Sequence, residues 1–499
     1  MSIHKLTRGF FTLSGGIFLS RILGYLRDLL IAAWISGRER DIFFLAFLLP
    51  NLSRRIFGEG ALSSSFIPVL SRIIKSKGEK EGDKFTSVIL NYLVITLILF
   101  VSLGVVFAPY IIRFFAPGFS SQEKIMAVEI LRVMFPFALF ICLASFFSSY
   151  LTTRKNFIST SLSFLLFNLS FIFFLLIRGK FSSPLLAISW GVVVGGILQL
   201  LVHLPFLIKK GFSYYLKFFH PGMNEFTKFL LPASFGASIF YVNTAVDRIL
   251  ASFLPEGAIS ALYYSNRLLQ FPLALTGIAM SMTSLPIFSR LEREGVSSQL
   301  TQALKWLLFL TLPATLFLSL LGKPIIRLLF ERGEFTAVAT AGTYSALLFY
   351  SFGLFFFAGS RLLNTTFYSL HYPWLPVKLG IWSIVINIVF DLILIKPLQQ
   401  GGLALATSFS SAIGFILLFR QLSCKAHIRV MLGRKWIMKF FLLYLILVVV
   451  VISIHMWMNR FSGIIEIVKL VLIIGGGTAI YTWLAHKFEV IEVWSGKKR

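Results

Sequence analysis

Charged side chains interrupt the first two apolar segments of the chain, where helices facing lipid would carry none. They are all arginines or carboxylates: Arg21, Arg27, Asp28, Arg54, Arg55 and Glu59. A charge at the bilayer centre costs about 2.5–3.5 kcal/mol on insertion scales, so such residues usually face a bundle interior or a watery cavity. With Arg267 from a later segment, five arginines stand against two carboxylates. This excess predicts an anion site, and the guanidinium fork is suited to phosphate oxygens.

The alternative is that these arginines lock helices through ion pairs or reach to the membrane surface. Arg55 and Glu59 are four residues apart and can pair across one helical turn. Pro50 precedes Asn51 and can free a backbone carbonyl and bend its helix. Intramembrane charges mark substrate paths by default, and this favours anion binding at Arg21, Arg27, Arg54 and Arg267. The structural alternative is favoured for three further arginines: Arg132, Arg248 and Arg361.

A second group of polar residues comes from three later apolar segments and offers only oxygen ligands or an amide. Its members are Asp247, Asn387, Asp391 and Thr407. Asn387 and Asp391 lie one turn apart on one helix face. Oxygen ligands suit a hard cation, so the group predicts a site for Na⁺ or a proton. A polar network between helices, satisfied without an ion, explains the same residues equally well.

The composition indicates that the charged and polar residues above lie on transmembrane helices. The chain has 499 residues, 57% hydrophobic and 13% charged, which is typical of a multi-pass membrane protein. The apolar runs predict an all-α protein with about fourteen transmembrane helices of roughly 20 residues or more. The formal charge of +27 is scattered through short loops, so it indicates orientation in a membrane and no nucleic-acid partner. The alternation of basic loops predicts that both termini are cytoplasmic.

The chain also contains an internal repeat. The segment around Pro68 resembles that around Pro286, and the surroundings of Asp28 resemble those of Asp247, at nearly equal offsets. Six helices per unit, an even number, give the two copies parallel topology. Parallel repeats are one plan of membrane transporters, in which the substrate lies between the halves.

Motifs of hydrolytic and ATP-driven enzymes are missing from the sequence. The seven histidines are isolated, and neither HExxH nor GxxxxGK[ST] occurs. We therefore expect a non-enzymatic protein without a cofactor, apart from a possible Na⁺. An enzyme that acts on a polyprenyl phosphate through intramembrane arginine and aspartate remains an alternative.

Three stretches of the chain are distinctive: SRILGYLRD (20–28), DIFFLAFLLPNLSRRIFGEGALSSSFIPV (41–69) and YYSNRLLQFPLALTGIA (263–279). They resemble the MurJ family of lipid II flippases, members of the MOP (MATE-like) superfamily. The resemblance implies an N-lobe of helices 1–6 (1–215), a C-lobe of helices 7–12 (216–430) and a C-terminal helix pair (431–499) that forms a groove for the lipid tail. It implies that lipid II, a polyprenyl-diphosphate-linked disaccharide peptide used in peptidoglycan synthesis, is flipped across the bacterial inner membrane by alternating access.

The resemblance also assigns roles to residues. It implies that the substrate is bound by Arg21, Arg27, Asp28, Arg54, Arg55, Glu59 and Arg267. It implies gating or supporting roles for Gly24, Asp41, Pro50 and Asn51. It aligns a sodium site of some relatives with Asp247, Asn387, Asp391, Thr407 and the carbonyl of Leu403. Asn266, Gln270 and Leu48 stand where many relatives carry charged residues. The expected partners are lipid II and membrane lipids, and the expected form is a monomer. Two other functions stay open: a cation-coupled MATE-like exporter, and a flippase for another polyprenyl-diphosphate glycan.

Overall fold

The structure, a computed structural model, describes residues 3–54, 61–370, 372, 374–431, 433–458, 466–488 and 490. The side chains of residues 3–17, 61 and 231–241 are not described. Arg55 and Glu59 therefore lie outside the described residues. Every regular element in the described part is helical, which confirms the all-α fold class.

The helices follow one another with short connections. They are α1 (Ile3–Trp34), α2 (Gly37–Ser53), α3 (Ala61–Lys77), α4 (Glu79–Val106), α5 (Ala108–Phe115), α6 (Ser121–Met134), α7 (Phe137–Thr153), α8 (Ile158–Leu176), α9 (Pro184–Leu201), α10 (Leu204–Lys209), α11 (Met223–Ala251), α12 (Ala258–Leu273), α13 (Ala279–Phe288), α14 (Arg293–Phe330), α15 (Ala337–Phe352), α16 (Leu354–Ser369), α17 (Trp374–Lys425), α18 (Arg434–Met458) and α19 (Glu466–Lys487). A π-helical segment, Ala274–Ile278, joins α12 to α13.

Nine helices of the described part are long and apolar enough to cross a membrane, or ten if the bent pair α15 and α16 forms one span. One of the nine, α17, consists of two helices that meet at Gln399, where φ is 49° and ψ is −129°. The total of fourteen spans stays a prediction.

Prolines mark some of the breaks. Pro136 lies between the end of α6 and the start of α7. Pro272 lies near the end of α12, directly before the π-helical segment. Pro50, in contrast, lies buried inside the continuous helix α2. A proline therefore does not by itself break a helix here, because neighbouring groups can satisfy the freed carbonyl.

The contacts divide the chain into two compact units. The first contains residues 1–259 and 332–335, and the second contains residues 260–331 and 336–499. The three predicted divisions, 1–215, 216–430 and 431–499, stay predictions.

Phenylalanine rings fill the core of the first unit. The ring centroids of Phe66 and Phe146 lie 4.8 Å apart, and those of Phe43 and Phe171 lie 5.7 Å apart. These contacts join α3 to α7 and α2 to α8. Offset and edge-to-face ring pairs contribute roughly 0.5–1.5 kcal/mol each beyond their buried area. The rings hold the short helix α2, which carries Arg54, in a fixed position within this unit.

In the second unit, the two C-terminal helices pack against α14. The rings of Phe309 and Tyr481 stack at 4.6 Å, and the Tyr481 hydroxyl donates to the Phe309 carbonyl at 3.2 Å. Leu321, Leu443 and Val451 are almost fully buried in the same cluster. The predicted lipid-tail groove of α18 and α19 stays a prediction.

An extended segment between α10 and α11 runs along α4. Ser213 N donates to Asp83 Oδ2 at 3.2 Å, and Tyr215 N donates to Ser87 Oγ at 3.1 Å. Asn91 Nδ2 donates to the carbonyl of Lys217 at 2.8 Å. Side chains four residues apart on the helix thus meet every second residue of the extended segment. Four helical residues rise about 6.0 Å, which sets the spacing of the three contacts along α4.

Candidate functional site

The central feature of α1 is a buried ion pair between two neighbouring residues. Arg27 Nη2 and Nε donate to Asp28 Oδ1 at 2.7 and 3.0 Å. The side chains are 10% and 0% exposed, so the pair is shielded from solvent. Arg27 therefore has a carboxylate partner in this conformation. An incoming anion has to compete with Asp28 for the guanidinium.

Helix α8 orients the Arg27 guanidinium. Arg27 Nη1 donates to Asn168 Oδ1 at 3.3 Å, and Asn168 Nδ2 donates to the carbonyl and the hydroxyl of Ser20, both at 3.1 Å. The guanidinium carbon lies 5.1 Å from the centroid of the Phe171 ring, within cation–π range. The sequence did not single out Asn168, whose signal is a polar residue in an apolar helix.

Arg21 and Gly24 lie on α1, before the ion pair. Gly24 is buried, whereas the Arg21 side chain is exposed. No hydrogen bond or ion pair with another described residue holds Arg21. Arg21 precedes Asp28 by seven residues, close to one helical face, but Asp28 pairs with its neighbour, Arg27.

Arg54 lies at the C-terminal end of α2 and is partly buried. Its Nε donates to the amide oxygen of Asn51 at 3.0 Å, across one helical turn. Asn51 thus orients Arg54, which gives a geometric basis for its predicted supporting role. The expected contact between Arg55 and Glu59 stays a prediction.

Asp41 and Arg40 are both almost fully buried near the start of α2. Asp41 Oδ2 accepts a hydrogen bond from Gly257 N at 2.7 Å. Arg40 Nη1 donates to the carbonyls of Ala32 and Ile35 at 2.7 and 2.6 Å. Carbonyls at the end of a helix have no intrahelical donor, and basic side chains nearby can supply one. The sequence analysis missed Arg40, whose signal is a basic residue soon after a helix C-terminus.

Arg267 lies on α12 in the second unit, whereas Arg21, Arg27 and Arg54 belong to the first. Arg267 is partly buried. On the same helix, Gln270 Nε2 donates to Asn266 Oδ1 at 3.4 Å, so the two uncharged residues expected to set this chain apart contact one another. A shared chamber for the four arginines stays a prediction.

The predicted cation site also divides between the two units. Asp247, in the first unit, is buried, as are Asn387 and Asp391 on α17 in the second. Thr407 Oγ1 donates to the Leu403 carbonyl at 2.9 Å. The described residues contain no group of three His, Cys, Asp or Glu side chains that could hold a metal ion.

Asn387 is the strongest indication of a ligand on α17. Its side chain is fully buried, and neither its amide oxygen nor its nitrogen has a hydrogen-bond partner within the described residues. A buried polar group without a partner costs about 1–3 kcal/mol. An amide oxygen one turn from a carboxylate fits a hard cation, so the residues on α17 are compatible with Na⁺.

Comparison with known proteins identifies the family. A family model described as "Lipid II flippase MurJ" matches residues 36–473, which is most of the chain. The chain belongs to the MurJ family. A curated MurJ relative, "Probable lipid II flippase MurJ" of Buchnera aphidicola subsp. Acyrthosiphon pisum, is 35% identical over 81% of each chain. A relative of the same description from Vibrio cholerae is 33% identical over 84% of this chain and 83% of its own length.

Solved structures agree with this assignment to the MurJ family. "Lipid II flippase MurJ, inward closed conformation" has a TM-score of 0.82 at 30% identity, and the match covers 95% of this chain and 98% of that one. An inward-facing MATE family transporter of the MOP superfamily has a TM-score of 0.69 at 16% identity, covering 83% of this chain and 98% of that one. The MATE likeness shows the fold alone. MurJ membership and the apolar helices make the chain a multi-pass protein of the bacterial inner membrane.

Proposed function

We propose that this chain flips lipid II from the cytoplasmic to the outer leaflet of the inner membrane, as a transporter without catalytic activity. Family membership supports the function, and the Arg27–Asp28 pair is the observation in the chain that carries the mechanism. A guanidinium buried at a helix face, with its carboxylate on the next residue, can exchange partners without movement of the helix.

The exchange follows from the chemistry of the two anions. A diphosphate offers several oxygens to the planar guanidinium and can form two parallel hydrogen bonds. Arg27 and Asp28 lie on the same helix, so a change of anionic partner at the guanidinium does not require these two residues to be carried apart by different helices. The Asn168 contact would keep the Arg27 guanidinium oriented while its anionic partner changes.

Alternating access would then move the headgroup while the lipid tail stays in the bilayer. Asp28 limits how tightly Arg27 holds the diphosphate, because it competes for the same donors. Such competition helps release, since a ligand that favours one state too strongly does not leave it. If the cycle moves net charge across the membrane, the membrane potential changes its free energy by about 2.3 kcal/mol per elementary charge and 100 mV.

The same proposal includes a supporting role for a cation on α17. Asn387, Asp391 and Thr407 would hold a sodium ion, which would supply positive charge beside the Asp391 carboxylate. We also propose that the protein acts as a monomer, with both termini cytoplasmic.

Reconstitution of the purified protein in liposomes with fluorescent lipid II tests the function. We expect headgroup exposure on the far leaflet to accelerate in a protein-dependent way, with no new covalent product. Arg54→Ala and Arg27→Ala should slow flipping. Arg178→Ala serves as the control, because Arg178 contacts Trp34 instead, with its guanidinium carbon 4.0 Å from the ring centroid. Wild-type rates in both test variants would refute the arginine mechanism, and a new product would refute the transporter assignment.

A further inference from the structure

A groove of about 610 Å³ opens on the first unit between α5 and α6. Its size falls in the range of roughly 300–1,000 Å³ that is typical of ligand pockets. The apolar wall includes Ile125 and Val128, and the charged groups are Arg113, Lys124, Arg132 and Glu129. None of the residues discussed for flipping lines this groove.

Two of the three cations are fixed by backbone carbonyls. Lys124 Nζ donates to the Pro117 carbonyl at 2.9 Å, and Arg132 Nε donates to the Val105 carbonyl at 3.3 Å. Val105 lies in the last turn of α4, where carbonyls lack intrahelical donors. Arg132 thus makes a structural contact, because its side chain supplies a donor to a carbonyl at the end of α4. Neutral acceptors orient these side chains but leave their positive charge uncompensated.

The four charges of the groove do not neutralise one another. Glu129 precedes Arg132 by three residues, a spacing at which helical side chains can pair. Nevertheless, neither Glu129 nor any of the three cations forms an ion pair with another described residue. The groove thus offers an excess of positive charge and one separate carboxylate to a ligand.

The position of the groove indicates a lipid. The candidate span of α4 ends at Val106, and the next one begins at Ser121. Arg113 lies between these two spans, Lys124 lies in the first turn of the second, and Arg132 reaches the Val105 carbonyl at the end of α4. These cations therefore lie where span ends meet lipid headgroups. Large apolar side chains surround them, since Tyr110 is 70% exposed and Ile125 is 71% exposed.

We propose that this groove binds one phospholipid whose headgroup carries a primary amine, such as phosphatidylethanolamine. Arg113, Lys124 and Arg132 contact the phosphate, Glu129 accepts from the ammonium, and an acyl chain lies along Ile125. A primary ammonium offers Glu129 a charged N–H donor, whereas a choline headgroup has no N–H and a glycerol headgroup has no positive charge. The proposal is independent of the flipping function.

Native mass spectrometry of the delipidated, detergent-solubilised protein tests this site. Phosphatidylethanolamine, phosphatidylglycerol and phosphatidylcholine with identical acyl chains would be titrated separately. We expect the amine lipid to bind at least about tenfold more tightly than the other two, which corresponds to one charge-assisted hydrogen bond of about 1.4 kcal/mol. Equal binding of all three lipids, or a preference for phosphatidylglycerol, would overturn the assignment.

Two variants locate the site and keep the test independent of folding. Glu129→Gln should abolish the preference for the amine over the glycerol headgroup, and Arg113→Gln should weaken both lipids. Both side chains are exposed, so neither change removes a buried contact. Lys180→Gln, an exposed cation of the first unit outside the groove, is the matched control and should bind like the wild type. An unchanged lipid preference in Glu129→Gln would refute the proposal.

Discussion

Two buried ion pairs of the first unit, Arg27–Asp28 and Arg154–Asp83, have similar lengths but different surroundings. Both are closed at 2.7 Å. Arg27 and Asp28 are neighbours on one helix, whereas Asp83 lies on α4 and Arg154 follows the end of α7. Asp83 Oδ1 also accepts from the Tyr150 hydroxyl at 2.6 Å, and Asp83 Oδ2 accepts from the backbone of the extended segment. Opening the Arg154–Asp83 pair separates elements of the fold, whereas the Arg27–Asp28 pair can open by side-chain rotation.

The comparison separates a structural ion pair from one suited to substrate exchange. The side chains of the two pairs are similarly buried, and their N–O distances are the same, so neither property distinguishes their roles. The pairs differ in that Arg27 and Asp28 lie on one helix, whereas Asp83 and Arg154 belong to different elements of the fold. We therefore expect variants of the Arg154–Asp83 pair to affect stability first, and variants of the Arg27–Asp28 pair to affect transport first.

The largest expected effect on stability follows from Asp83→Ala. It leaves the Arg154 guanidinium, which is 7% exposed, without its buried carboxylate and removes the acceptor of Tyr150. Breaking a buried ion pair from one side costs about 3–5 kcal/mol. The free energy of unfolding in detergent, measured by chemical denaturation, should fall by this amount. A loss below about 1 kcal/mol would mean that the remaining contact with Glu79 suffices, and the comparison would fail.

The largest expected effect on transport follows from Arg27→Ala. Loss of one hydrogen-bonded contact with a charged group, about 1.5–3 kcal/mol, predicts flipping that is roughly 10- to 150-fold slower. Arg27→Lys keeps the charge but loses the planar fork, so its rate should lie between those of Arg27→Ala and the wild type. The measurement is lipid II flipping per folded protein, with Asp83→Asn as the comparison. A larger transport defect in Asp83→Asn than in Arg27→Ala would reverse our assignment.

A smaller effect is expected from Asn91→Ala, which removes contacts between the extended segment and α4. The side chain of Asn91 donates to the Lys217 carbonyl and accepts from the Tyr214 hydroxyl at 2.7 Å, so the loss of both hydrogen bonds predicts about 1–3 kcal/mol of destabilisation, confined to this segment. Amide hydrogen exchange should rise in residues 213–217 and stay unchanged in α8. Faster exchange throughout the first unit would show that the segment is part of the cooperative core.

The smallest effect concerns His220, which follows the extended segment outside the candidate spans. Burial lowers the pKa of His220, although the carboxylate of Glu81 opposes this shift. A depressed folded-state pKa means that His220 contributes stability above its unfolded pKa of about 6.5 and loses it as the pH falls. The free energy of unfolding of the wild type should thus decline from pH 7 to pH 5 more steeply than that of His220→Gln. Equal slopes would contradict this linkage.

The sequence predicts the helical membrane fold, because span length and apolar composition follow directly from the bilayer thickness. It also predicts that the first two helical segments carry intramembrane charges, and α1 and α2 contain these residues or end beside them. The partner of Arg27 could not be predicted, since neighbouring residues on a helix do not normally face each other. The contact depends on how the long arginine side chain folds back against Phe171 and Asn168.

The Arg154–Asp83 pair illustrates a second limit. Its members are 71 residues apart, and nothing local in either segment indicates the other. Only the packing of α4 beside α7 brings them together. In contrast, the polar residues at four-residue intervals on α4 were visible in the sequence, but each also contacts a backbone group of the segment 213–217, which a sequence does not distinguish.

The fit between α4 and the extended segment limits how the chain can change in evolution. A single inserted residue within 213–217 would turn the remaining amide and carbonyl groups away from Asp83, Ser87 and Asn91. Insertions of two residues preserve the alternation, whereas odd numbers do not. Length variation among natural versions of this connection should therefore be concentrated outside the five-residue stretch or come in even steps within it.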